Sequence, residues 1–160
     1  MKQTSHWIAF SASGFFLFLD QILKYLARMN PDFTSYIIPR WLGWEYLPNP
    51  GIAFSIPFPN WLILVLTPPI LLWLGILLAK NIGQRPMVAI GLAFIIDGAI
   101  SNYIDRMLFG VTIDYLRVLT GVINIADIMI AVGAAFLLRS YREASTLSPP
   151  SPTSSETKGA

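Results

Sequence analysis

The sequence predicts an all-α membrane protein: four transmembrane helices, with a small extramembrane β-sheet or hairpin between the first two. Three observations carry that prediction. Of 160 residues, 54% are hydrophobic and only 12% charged, and the mean hydropathy is +0.58. Apolar runs recur, each near the roughly 20 residues a helix needs to cross a hydrocarbon core about 30 Å thick. Between the first two runs lies the only sizeable stretch of a different character.

The first run, His6 to Ala27, holds Asp20 and Lys24 and has no A-x-A site. It reads as a retained helix rather than a cleaved signal peptide. Residues 28–60 follow, with "YIIPRWLGWEYLPNPGIAFSI" mixing β-branched and aromatic residues around the turn signal Pro48-Asn49-Pro50-Gly51. This reads as a sheet or hairpin resting on the membrane, with Trp41, Trp44 and Trp61 at the water–lipid interface. The second helix covers residues 61–79. It contains nothing ionisable, and Pro68-Pro69 should kink it. The third covers 87–105. The fourth, 121–138, is interrupted by Asn124 and Asp127. One integral-membrane domain thus occupies residues 1–143. Residues 144–160 are Ser/Thr/Pro-rich without an aromatic residue, the composition of a disordered tail.

Four crossings put both termini on one side. Lys2, Lys80, Arg85, Arg139, Arg142 and Lys158 fall there, against Lys24, Arg28, Arg40, Arg106 and Arg117 opposite, a slight bias toward cytoplasmic termini. The absence of cysteine excludes disulfides, thiolate metal sites and cysteine nucleophiles. His6 is the only histidine, at the head of the first helix, where it reads as an interfacial residue. A net charge of +2, scattered along the chain, gives no nucleic-acid footprint.

Polar groups converge in depth. Counting the helical rise of about 1.5 Å per residue, Asp20 lies roughly 20 Å from the terminal-side face, Asn102 roughly 22 Å and Asp127 roughly 18 Å. Asp105 and Asp114 follow at or just above that level. An ionisable group in a spanning helix costs about 2.5–3.5 kcal/mol on insertion scales, so it faces a bundle interior or a cavity. A structural role is an equal reading for some of them: Asp20 can pair with Lys24 at i,i+4, and Asp105 with its neighbour Arg106. Asp114 and Asp127 have no basic residue at i±4. Two carboxylates in a low-dielectric site share one proton, so one can activate water while the other protonates a carbonyl oxygen. That chemistry needs neither metal nor cofactor. An ion or proton relay uses the same ingredients, and the residues alone leave both readings open.

The order of motifs adds to this. "DQILK" (Asp20 to Lys24) is followed by "NPGIAF" (Asn49 to Phe54), "GAISNYIDR" (Gly98 to Arg106), "TIDY" (Thr112 to Tyr115) and "NIAD" (Asn124 to Asp127). Over residues 15 to 138 this series resembles bacterial lipoprotein signal peptidase, the signal peptidase II family. The resemblance implies a four-helix inner-membrane aspartic endopeptidase that removes the signal peptide of a prolipoprotein before its diacylglyceryl cysteine. It implies Asp114 and Asp127 as the catalytic pair. Asn49, Asn102, Arg106 and Asn124 would line the site, with Asp20 and Asp105 as supports. It further implies cytoplasmic termini, a site toward the periplasmic or outer leaflet, substrate and membrane lipid as the partners, and no cofactor; a monomer is expected. A small ion- or proton-coupled transport protein is the alternative, and a Ser-Lys peptidase using Ser55 or Ser101 with Lys24 a further one. Ile123 and Ile128 depart from the family pattern, Pro57 and Pro59 work against a short lid helix after Phe54, and Asp97 stands where glycine is usual. Asp97 shares a helical face with Ser101 and Asp105.

Overall fold

A computed structural model describes residues 2–52 and 56–147, with the backbone alone for 2–9, 144 and 147. Within these residues the apolar runs form α1 (Lys2–Met29), α2 (Asn60–Asn81), α3 (Pro86–Phe109) and α4 (Ile125–Leu147). Four strands accompany them: β1 (Thr34–Ile38), β2 (Leu42–Asn49), β3 (Thr112–Val118) and β4 (Gly121–Ile123). The sheet is antiparallel throughout, in the order β1-β2-β3-β4.

Three expectations change. The sheet draws only half its strands from residues 28–60; β3 and β4 come from the connection between α3 and α4. The fourth helix starts at Ile125 rather than 121, because Gly121–Ile123 pair with β3 instead. It also runs to Leu147, so residues 144–147 of the expected tail are helical, while residues 148–160 lie outside the described ones. The lid segment falls partly on residues 53–55, also outside them; residues 56–59 are not helical.

Among the described residues two helices, α2 and α3, are long and apolar enough to cross a membrane by length and composition. α2 buries none of its residues and exposes Trp61, Val65, Ile70, Leu72 and Trp73. A helix that is apolar all round and unburied by protein suits a lipid solvent. It runs unbroken through Pro68 and Pro69. Pro68 cannot donate to the carbonyl of Leu64, and the Tyr103 hydroxyl of α3 donates to that oxygen instead, at 3.4 Å.

α3 starts on Pro86 and stops at Gly110, whose left-handed φ of 76° turns its N–H back to the Arg106 carbonyl at 3.1 Å. Its densest packing is against α4. Glycines permit this: a Cβ on Gly91 would sit 2.8 Å from the Gly133 carbonyl oxygen, and one on Gly98 2.6 Å from that of Ala126. The sheet rests on the C-terminal part of α1, where Ala27, Ile113 and Tyr115 form a buried cluster with Leu23, Trp44 and Tyr46. The Trp44 and Tyr115 rings lie 5.1 Å apart. Arg28 closes the end of α1 over the Phe109 ring of α3, 3.8 Å from its centroid.

Candidate active site

The sheet delivers Asp114. β2 and β3 pair with Asn49 opposite Thr112 and Leu47 opposite Asp114, so Asn49 and Asp114 are diagonal neighbours on one face. Asn49 Nδ2 donates to Asp114 Oδ2 at 3.0 Å, and Asn124 Nδ2 to Asp114 Oδ1 at 2.6 Å. Asp114 is 1% exposed. Burial, and next the nearby charge of Asp127, push its carboxyl up to about 7, against the pull of the two asparagine donors.

The start of α4 delivers Asp127. Asn124 occupies the N-cap: its Oδ1 accepts from the Asp127 N–H at 2.9 Å, and Asp127 Oδ2 accepts from the Asn124 N–H at 3.4 Å. This is a capping box with aspartate in the third helical position. Asp127 therefore sits in the first turn of α4, where the helix dipole favours negative charge, and not within the helix as the sequence placed it. Asn124 also donates to the Ile113 carbonyl at 3.3 Å, so one side chain ties the cap of α4 to β3 and to Asp114. From α3, Asn102 Nδ2 donates to Asp127 Oδ1 at 2.9 Å. The close approach of Gly98 to Ala126, one turn away, makes that reach possible.

Behind these groups lies a buried knot. Asp20, Lys24, Ser101 and Asp105 are each at most 1% exposed. Lys24 Nζ lies 2.8 Å from both Asp20 Oδ2 and Asp105 Oδ2. Asp20 also accepts from Ser101 Oγ at 2.6 Å, the Tyr115 hydroxyl at 2.8 Å and the Ile125 N–H at 3.0 Å. One carboxylate thus joins α1 to α3, β3 and the start of α4. Asp105 also accepts from the Ile113 N–H at 3.2 Å.

The expected pairing of Asp105 with Arg106 does not form. Adjacent helical residues point about 100° apart, so Asp105 faces α1 while Arg106 faces the β2–α2 connection. Arg106 donates to the Gly51 carbonyl oxygen, and its Nη1 lies 3.5 Å from Asn60 Oδ1. It thereby holds the turn that carries Asn49, whose Oδ1 accepts from the Gly51 N–H at 3.0 Å. Arg117 pairs with Glu45 across β2 and β3 rather than with Asp114.

Asp20, Asn49, Asn102, Asp105, Arg106, Asp114, Asn124 and Asp127 thus meet where α1, α3 and α4 reach the sheet. The sequence did not single out Tyr115, Asn60 or Gln21, whose Nε2 donates to Ser101 Oγ at 2.7 Å. Gln21 and Tyr115 lie inside the motifs, whereas Asn60 stands outside them and carried no signal. Ser101 lies within reach of Lys24, at 3.2 Å, but it is fully buried and its hydroxyl is spent on Asp20. That leaves no exposed serine–amine pair there; Ser55 lies outside the described residues. Asp97 is half-buried against the Ser13 hydroxyl of α1, apart from the cluster.

A family model described as "Signal peptidase (SPase) II" matches residues 12–142. A lipoprotein signal peptidase of Halothermothrix orenii is 36% identical over 126 residues, covering 76% of this chain and 86% of that protein. One from Chlorobium phaeobacteroides is 32% identical over 151 residues, covering 82% and 94%. One from Listeria monocytogenes is 30% identical over 128 residues, covering 75% and 83%. A solved bacterial membrane enzyme shares the fold with a TM-score of 0.76 at 20% identity, over 90% of this chain and 93% of that one. A second has a TM-score of 0.72 at 22% identity, over 84% and 92%. The chain belongs to the signal peptidase II family.

Proposed function

We propose that this chain is an aspartic endopeptidase that removes the signal peptide of lipid-modified prolipoproteins, cutting before the diacylglyceryl cysteine, with Asp114 and Asp127 as its catalytic pair. The observation that carries this is Asn124, whose amide holds Asp114 and whose cap holds Asp127. Family membership supplies the peptidase class.

The chemistry follows from the two environments. Asp114, with its carboxyl near 7, keeps the proton, and Asp127 in the first turn of α4 is the base. Asp127 takes a proton from water as the oxygen attacks the scissile carbonyl carbon, and Asp114 gives its proton to the carbonyl oxygen. The tetrahedral diol then collapses: the C–N bond breaks, the amine takes the proton from Asp127, and a diol proton returns to Asp114. Asn49, Asn102 and Asn124 hold the carboxyls, Arg106 holds the turn of Asn49, and Asp20 and Asp105 fix the surrounding elements.

In this reading all four helices cross the membrane, both termini are cytoplasmic, and the site opens toward the periplasmic or outer leaflet of the bacterial inner membrane. The protein works as a monomer. Substrate enters sideways from the bilayer with its acyl chains in lipid. The test is cleavage of a diacylglyceryl prolipoprotein by purified protein in lipid. Asp114→Asn and Asp127→Asn should each lower the rate by about 10³-fold or more while remaining folded. Substantial turnover by Asp127→Asn refutes the assignment.

A further inference from the structure

Three asparagine amides face the two carboxyls, and each is fixed from behind. Asn49 presents Nδ2 to Asp114 while its Oδ1 accepts from the Gly51 N–H at 3.0 Å. Asn124 presents Nδ2 to Asp114 while its Oδ1 accepts from the Asp127 N–H at 2.9 Å. Asn102 presents Nδ2 to Asp127, but the donor behind its Oδ1 is a side chain, the Lys24 ammonium at 2.8 Å. Two of the three locks are backbone groups; the third is a lysine on another helix.

We propose that Lys24 is a positioning residue for the reaction, acting through Asn102 on Asp127. The proposal rests on the reading of Asp114 and Asp127 as the catalytic pair. An amide has its acceptor on one side and its donors on the other, so a cation held on the oxygen aims the N–H₂ group the opposite way. It also polarises the amide, which strengthens the N–H as a donor. The lysine is itself immobilised. An ammonium has three N–H donors, and three acceptors stand at 2.8 Å: Asp20 Oδ2, Asp105 Oδ2 and Asn102 Oδ1. Ser101 Oγ is farther, at 3.2 Å. Lys24 is 1% exposed, so water does not compete for these donors. The chain of contacts runs from α1 to α3 to the first turn of α4, across the packing that Gly98 permits.

A purely structural Lys24 would only neutralise Asp20 and Asp105. The two roles separate in a double-mutant cycle with Lys24→Met and Asn102→Ala, measuring kcat, KM and thermal unfolding on a diacylglyceryl-cysteine peptide. Lys24→Met should lower kcat about tenfold, a typical coupling between directly bonded groups, with KM little changed. Added to Asn102→Ala, which should retain measurable turnover, it should cost less than about twofold more. An equal fold-loss in both backgrounds overturns the proposal, as does a change in unfolding alone with kcat kept. A dead Asn102→Ala would place Asn102 on the reacting atoms and overturn it too. If Lys24→Met does not fold, the cycle is run in an Asp105→Asn chain, which removes one of the two buried carboxylates that the lysine pairs, with the same outcomes. Asp114→Asn and Asp127→Asn run alongside: if they cleave, the dyad fails and the relay with it; if they are dead and the cycle is additive, only the relay fails.

Discussion

α2 and α3 are both long and apolar enough to cross a membrane, yet they do opposite things. α2 buries no residue and carries nothing ionisable before Lys80 in its last turn. α3 buries eight, among them Gly91, Gly98, Ser101, Asp105 and Arg106. Composition makes both candidate spans; burial separates a wall from a scaffold. In α3 the small residues are there to let α4 in, and the polar ones are tolerated because partners from α1, the sheet and the β2–α2 connection satisfy them.

Glycine substitution should sharpen that contrast most. Gly98→Val puts methyl groups where even a Cβ would lie 2.6 Å from the Ala126 carbonyl oxygen and 2.9 Å from Ile130. It should cost about 1–3 kcal/mol of stability and, by moving Asn102 away from Asp127, most of the activity. Gly75 of α2 faces open space, with nothing within 4 Å of where a Cβ would stand, so Gly75→Ala should unfold at the same temperature or slightly above. Thermal unfolding in detergent and peptide cleavage check both; equal losses at the two positions would erase the distinction.

A smaller effect is expected at Asn49. Asn49→Ala removes one of the two amides holding Asp114 and should slow cleavage about tenfold without changing unfolding by more than about 1 kcal/mol. A loss confined to stability would make Asn49 a turn residue only. Smallest is Tyr103→Phe, at a polar contact between α3 and α2. Leaving the Leu64 carbonyl without its donor should cost about 1 kcal/mol and leave kcat alone.

The same contrast explains what the sequence could show. α1, α2 and α3 were legible because apolar runs of spanning length need no partner to be recognised. Asp114 and Asp127 were singled out through their motifs, and the structure ties both to Asn124. β3 was not legible: Thr112 to Tyr115 alternate polar and apolar over only four residues before Leu116 breaks the pattern, and all four are buried, so the alternation marks no solvent face. Its partner β2 lies more than sixty positions earlier in the sequence, beyond any local signal. The false start of the fourth helix has the same origin, since Gly121–Ile123 are apolar enough to extend a helix and only pairing with β3 makes them a strand. Asp105 was matched to Arg106 by adjacency, whereas its partner Lys24 is on another helix.

In the proposed mechanism, catalysis by Asp114 and Asp127 turns on a proton that the two carboxyls would share. Asp114 is raised from an ordinary value near 3.8 to about 7, so the native state gains a proton there that the unfolded chain lacks. The stability contributed is full below about 3.8 and is lost as pH rises through about 7. Cleavage should fall over the same upper limit as Asp114 loses the proton it donates. The most direct measurement is the titration of the Asp114 carboxyl itself, by difference infrared spectroscopy on protein in lipid, with and without Asp127→Asn. A shared proton predicts a midpoint near 7 in the unaltered chain and a lower one in Asp127→Asn, because the Asp127 charge is one of the two causes that raise it. The same midpoint in both would contradict a shared proton and, with it, the dyad.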